Sequence, residues 1–254
     1  MSKILYTIGD SYVYRGPQYT TWSSMLSKKI NYIDANNGMS GTSNDRTFRS
    51  VIRDITRIET EGKLWTENTN DIDCDLEELF VIIGWTSPTR FEWFKNGEYV
   101  SSRYWETSNF ICGGNKSLDF SFSDEITLPL TEQVNSYIRF FNQIITLKIF
   151  LESKSIKNIF YNTFYPFGEN TIDYFEKTLD ELEDTKPKKL LGYDNPPTYY
   201  SLKSLWKKVP QDYKINNQLE QVTDKNLDET LHPTPKGDEI WSEYLTKQVK
   251  KLNE

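Results

Sequence analysis

The sequence predicts a three-layer α/β protein with a mostly parallel sheet, and three observations predict it. Leu79–Ile83 (LFVII) is an unbroken apolar run, the character of a central strand covered on both faces. Lys3–Ile8 (KILYTI) and Ile156–Tyr161 are further short strand-like runs. Segments with apolar residues at helical spacing alternate with these runs, which places parallel strands between helices on both faces.

Taken in order, the first strand runs into Gly9-Asp10-Ser11, and Tyr19, Trp22, Leu26 and Ile30 then recur at helical spacing. A second apolar stretch, Ile30–Ile33, precedes a glycine-containing turn over Asn36–Asn44. Phe48, Val51, Ile52, Ile55 and Ile58 mark one face of the next helix, with Ser43 or Asn44 as its N-cap. After the central strand a long helix spans about Thr131 to Ser153, with Val134, Tyr137, Ile138, Phe141 and Ile145 on one side. Ile172, Phe175, Leu179 and Leu182 give a shorter helix, and Leu202–Trp206 a helical patch. The last helix begins at Thr234-Pro235, a cap followed by a first-turn proline, and directs Ile240, Trp241, Tyr244, Leu245 and Leu252 inward.

Two segments break the alternation. Trp85–Pro129 is read as an insertion holding a β-hairpin, Phe91–Phe94 with Tyr99–Arg103, joined through Lys95-Asn96-Gly97-Glu98. Its aromatic cluster, including Trp85, Phe91, Trp93 and Trp105, reads as a stacking platform for sugar rings, a satellite core or an oligomer contact. Thr185–Thr230 is the second insertion, rich in Lys, Pro, Asn and Tyr. The expectation is one domain over residues 1–254 with these two insertions.

Composition removes several functions. With 30 basic and 37 acidic residues the net charge is −7, which argues against nonspecific nucleic-acid binding, since phosphate neutralisation needs clustered Lys and Arg. No run approaches 18 apolar residues and the first residues carry no long apolar stretch, so neither a membrane span nor a signal peptide is expected. A cytoplasmic protein follows from that reading. Two cysteines, Cys74 and Cys112, form no CxxC pair. A single histidine excludes zinc sites built from several imidazoles, and Leu76 and Ile82 break the EF-hand pattern that Asp71, Asp73 and Asp75 begin. No cofactor or metal is expected. No P-loop, dinucleotide fingerprint, HExxH or Gly-x-Ser-x-Gly elbow is present.

Four loops carry chemistry. Ser11 follows the first strand, where open α/β sheets bind ligands. His232 stands before the last helix, with Glu229 three residues and Asp228 four residues earlier; either carboxylate could orient the imidazole and leave its other nitrogen to take the Ser11 proton. Asn37–Asn44 after the second strand can offer backbone N–H groups to an oxyanion. Gly84-Trp85-Thr86-Ser87 ends the central strand with hydroxyl donors.

The order and content of these loops resemble the SGNH (GDSL) hydrolase family, which has Gly-Asp-Ser near its N-terminus, a second-block glycine, a Gly-x-Asn-Asp third block and Asp-x-x-His-Pro near its C-terminus. The resemblance implies a flavodoxin-like α/β/α fold and a serine esterase. It implies Ser11 as nucleophile and first oxyanion donor, Gly41 as second donor and His232 as general base. Thr86 stands where the family has Asn, and Glu229 where it has Asp, with Asp228 adjacent. Losing one oxyanion donor costs about 100–1,000-fold in turnover.

Gly84–Glu92 and Gly41–Arg46 are also similar to a divergent SGNH subgroup met in bacteriophage genomes, which implies a virion-associated setting as the alternative to the cytoplasm. Asn44, Trp85 and Arg90 are the expected substrate-binding residues, Arg90 toward an anionic group. The implied substrate is a small acyl ester, such as an O-acetyl group on a carbohydrate. The alternative is a catalytically degenerate SGNH-like binding or virion structural module, motivated by the Thr86 and Glu229 departures; acyl transfer to a sugar is a third reading.

Overall fold

The computed structural model describes residues 2–14, 19–40, 42–66, 71–88, 91–93, 110–112, 130–163, 172–173, 202–229 and 232–253. Strands β1 (Ile4–Ile8), β2 (Ile33–Asn36), β5 (Leu79–Trp85) and β8 (Lys157–Asn162) form one parallel sheet in the order β2-β1-β5-β8, and β3 (Lys63–Leu64) pairs antiparallel with β4 (Ile72–Asp73) in a separate ribbon. That is the doubly wound order of flavodoxin-like sheets, with its reversal point between β1 and β5. The register Ile8↔Ile83 brings the ends of these two strands level, so Gly9 and Gly84 leave the sheet side by side.

Alternation along each strand separates two cores. Ile4, Tyr6 and Ile8 of β1 and Leu79, Val81, Ile83 and Trp85 of β5 face one side. There they meet α2 (Asn44–Glu61), α3 (Leu130–Ser153) and α4 (Leu202–Lys208). Leu5, Phe80, Ile82, Ile159 and Tyr161 face the other side, against α1 (Trp22–Ile30) and α7 (Pro235–Asn253). Trp22, Trp85 and Trp241 are fully buried. Complete burial of a large apolar side chain contributes roughly 1.5–3 kcal/mol, so these three anchor the helical layers. Short helices α5 (Gln211–Ile215) and α6 (Gln218–Val222) connect β8 to the last loop.

Capping sets where the helices start. Thr21 caps α1 by accepting the Ser24 N–H, and Asn31 closes it in the left-handed region. Ser43, rather than Asn44, caps α2, its hydroxyl accepting the Arg46 N–H at 3.3 Å. The Thr234 hydroxyl accepts the Gly237 N–H at 3.3 Å, and Pro235 opens α7 as its first residue.

Three expectations need correction. β6 (Phe91–Trp93) pairs antiparallel with β7 (Phe110–Cys112), not with Tyr99–Arg103, which lies outside the described residues. Phe110-Ile111-Cys112 offers the same aromatic and β-branched strand character at longer range. Leu252 is 48% exposed: it lies in the last turn of α7, and Val249 is the last apolar residue of that helix packed in the core. Tyr19 precedes α1 and is half exposed. Of the helix read over Ile172–Leu182, only Ile172 and Asp173 are described, both helical. Cys74 is buried in the larger core, and burial pushes its thiol up to about 12.

Among the described residues, no helix is long and apolar enough to cross a membrane. No group of three His, Cys, Asp or Glu side chains is gathered there as a metal site.

Candidate active site

The site is assembled at the carboxyl ends of β1, β2 and β5. The turn after β1 holds Ser11. Asp10 fixes it, its carboxylate accepting the Tyr12 N–H at 3.0 Å and its carbonyl the Val13 and Tyr14 N–H groups at 2.9 and 3.2 Å. Among the described residues no acceptor meets the Ser11 N–H itself. Gly9 enters this turn at φ +156, and a Cβ there would lie 2.5 Å from Val13 Cγ2 and 2.7 Å from the Gly84 carbonyl oxygen. Only glycine lets the two strand ends approach this closely.

The loop after β2 is stitched to that turn. Gly9 O accepts the Met39 N–H at 2.9 Å, Thr7 O accepts the Asn37 N–H at 2.8 Å, and Asn36 Nδ2 donates to Val13 O at 3.0 Å. Behind it lies a buried network around Asp54. Its carboxylate accepts Tyr6 OH at 2.7 Å, Asn37 Nδ2 at 3.3 Å and Arg53 Nε at 2.8 Å. Burial first, and the Asp54 carboxylate second, push the Tyr6 hydroxyl well above its ordinary value.

The last loop brings in His232. Leu227 and Pro233 form an antiparallel bridge, and Asp228 N–H donates to His232 O at 2.8 Å. The Asp228 carboxylate in turn accepts the His232 backbone N–H at 3.0 Å. His232 Nε2 then lies 2.7 Å from Ser11 Oγ, within hydrogen-bonding distance, with both residues partly open to solvent. The Tyr12 ring stacks on the imidazole, centroids 4.9 Å apart and planes at 27°.

The structure brings together Ser11 and His232 of the residues expected from sequence. Asp228 is bound to the backbone of His232, while Glu229 is exposed in the same turn. Thr86 is 2% exposed at the end of β5, and its hydroxyl oxygen is buried without a hydrogen-bond partner among the described residues. Asn44 lies at the start of α2. Its Oδ1 accepts the Thr86 N–H at 2.9 Å, and its Nδ2 donates to the Thr86 and Ser87 carbonyls, both at 3.1 Å. Its amide is thus committed to holding the loop after β5.

Trp85, expected at the crevice, is at 0% exposure and packs edge-on against Phe140 and Phe160, because β5 continues through it into the core. Gly41 and Arg90 lie outside the described residues. Sequence reasoning missed the roles of Tyr12, Asp54 and Asn44. Asn44 was expected only as a helix cap or substrate contact, and the one available signal for Tyr12 was its place directly after Ser11.

The fold and the site together define an α/β protein with a serine–histidine pair at the carboxyl edge of a parallel sheet. No family model and no curated protein matches the sequence. Two solved structures are similar to the chain. One, assigned as a lipolytic protein of the G-D-S-L family from Desulfitobacterium hafniense DCB-2, has 15% identity and a TM-score of 0.45, covering 97% of this chain and 99% of its own. The other is an acetyl xylan esterase (Est2A) from the rumen bacterium Butyrivibrio proteoclasticus, with 12% identity and a TM-score of 0.47. It covers 99% of this chain, which spans 65% of that enzyme's chain.

Proposed function

We propose that the chain is a serine ester hydrolase of SGNH type, with Ser11 as nucleophile and His232 as general base. The observation that carries this reading is the 2.7 Å contact between His232 Nε2 and Ser11 Oγ at the edge of a parallel sheet. In the neutral imidazole Nε2 accepts the hydroxyl proton as Oγ attacks an ester carbonyl. The imidazolium so formed returns that proton to the departing alkoxide, leaving an acyl-Ser11. Water, deprotonated by the same nitrogen, then releases the acid and restores the serine.

Negative charge develops on the carbonyl oxygen. The Ser11 N–H is the first donor, supported by the absence of any acceptor for it among the described residues. The Gly41 N–H and the Thr86 hydroxyl are the second and third, the latter supported by its buried and unpartnered oxygen. Glu229 orients the imidazole in this reading, with Asp228 as the alternative acid and the residue that shapes the turn. The substrate class is a small acyl ester, with O-acetylated carbohydrate as the first candidate. The similarity of Gly84–Glu92 and Gly41–Arg46 to the bacteriophage subgroup supports a virion-associated setting.

The test is hydrolysis of chromogenic esters of increasing acyl length by wild type, Ser11→Ala and His232→Ala. Both variants are expected to lose about 1,000-fold or more in kcat, and unchanged hydrolysis by Ser11→Ala rejects the mechanism. A second reading, an inert binding module, is favoured by the exposure of Glu229. Stoichiometric labelling of Ser11 by a fluorophosphonate probe rejects that one.

A further inference from the structure

We propose that Tyr12 is a positioning residue for His232, whose stacked ring fixes the plane of the imidazole and stabilises its protonated form. The inference rests on the serine–histidine reading above and extends it to the residue that holds the base.

Tyr12 is well suited to hold another ring still. It is 4% exposed, its N–H is bound by the Asp10 carboxylate, and its carbonyl accepts Trp22 Nε1 at 2.8 Å. These anchors are backbone contacts, so they do not depend on the side chain. The ring therefore stands on a rigid turn while lying 27° from parallel with the imidazole at 4.9 Å. Hydrogen bonding to Ser11 fixes the direction of Nε2, whereas rotation about that line is a separate freedom of the ring. A flat neighbour on one face removes that freedom.

Charge gives the second effect. Proton transfer from Ser11 makes the imidazole cationic, and the face of an aromatic ring attracts a cation through its quadrupole. An aliphatic side chain of similar bulk would cover the same face without that attraction. Tyr12→Leu thus separates the two contributions, since it keeps water off the ring while removing the quadrupole. Tyr12→Phe keeps both and removes only the hydroxyl.

The other ionisable groups of the surrounding loops stay unchanged in these variants. They are Asp228 on the His232 backbone, exposed Glu229, buried Asp10 beneath Ser11, and Asp238 and Lys236 in the first turn of α7, Lys236 bound to Glu239.

A single histidine makes the experiment direct, because the imidazole Hε1 signal in a proton spectrum has one source. In wild type, nuclear Overhauser contacts are expected between the Tyr12 ring protons and His232. The midpoint of the Hε1 titration is expected to fall by about half a pH unit in Tyr12→Leu and to stay at the wild-type position in Tyr12→Phe. Ester hydrolysis should follow, with kcat reduced at unchanged KM in Tyr12→Leu and restored in Tyr12→Phe. An absent Overhauser contact, an unmoved midpoint in folded Tyr12→Leu, or a displaced midpoint in Tyr12→Phe overturns the proposal. If Tyr12→Leu does not fold, the wild-type contact and the Tyr12→Phe titration decide it. The spectra need no turnover, so an inactive protein with a stacked, shifted histidine rejects the esterase reading and keeps this one.

Discussion

Asn44 and Thr86 are joined as two peptide units would be: Asn44 Oδ1 accepts the Thr86 N–H at 2.9 Å, and Asn44 Nδ2 donates to the Thr86 carbonyl at 3.1 Å. The pairing ties the first residue of α2 to the end of β5 across 42 positions of sequence. A buried backbone group left without a partner costs about 1–3 kcal/mol. Asn44→Ala strands the Thr86 N–H and two carbonyls, and is expected to lower the chemical-denaturation stability by about 2–4 kcal/mol. Asn44→Asp keeps the acceptor but turns a carboxylate oxygen toward those carbonyls, so it should not rescue. Full rescue by Asp would show that the donor half of the pair is dispensable.

Gly9→Ala tests the close approach of two strands. Its Cβ would sit 2.5 Å from Val13 and 2.7 Å from the Gly84 carbonyl, on backbone at φ +156. Overpacking of this kind costs roughly 1–3 kcal/mol. A melting curve should show the loss, and ester hydrolysis should fall further than stability because Ser11 is displaced with the turn. In contrast, Gly62→Ala meets nothing within 4 Å and is strained only by its φ of +66, so activity should survive there.

Asp54 supports the loop after β2 from behind. Asp54→Ala removes the acceptor of buried Tyr6 OH and of Asn37 Nδ2, whereas Tyr6→Phe removes one donor only. Stability is therefore expected to fall by several kcal/mol in the first and by about 1 kcal/mol in the second. Arg53 is 44% exposed and can turn to water, so its share of the loss is small. Equal losses from both substitutions would contradict a shared acceptor.

Asp34 gives a pH-dependent prediction. Burial raises its carboxyl above the ordinary 3.8, opposed by the Ser23 hydrogen bond and Lys28. The folded state thus keeps a proton that the unfolded chain releases at 3.8. The associated stability is present below that value and is lost as pH rises through the raised folded value. Asp34→Asn, which can still accept the Ser23 hydroxyl, should melt above wild type at neutral pH. The gap should close on acidification toward pH 3.8, and a pH-independent gap would contradict the assignment.

Much of the layered fold was legible because its signals are local. LFVII reads as a central strand from composition alone, and Thr234-Pro235 reads as a helix start from the chemistry of unsatisfied N–H groups. Ser11 and His232 were legible for a related reason, since each follows or precedes a strongly marked element. The roles of Asn44 and Asp54 were not, because both act on partners 17 to 48 residues away and an asparagine at a helix start looks the same whichever backbone it meets. Trp85 misled for the opposite reason. A tryptophan beside a crevice loop has the composition of a binding site, but one more residue of strand carried it into the core.

The contact between residues 11 and 232 also sets a schedule. Synthesis proceeds at about 5–20 residues per second, so the serine is made roughly ten seconds or more before its histidine. Throughout that interval no imidazole stands beside Ser11. If Ser11 and His232 act as proposed, the serine gains its base only once the loop before α7 has docked beside the turn after β1, and labelling by a serine-directed probe reports that docking.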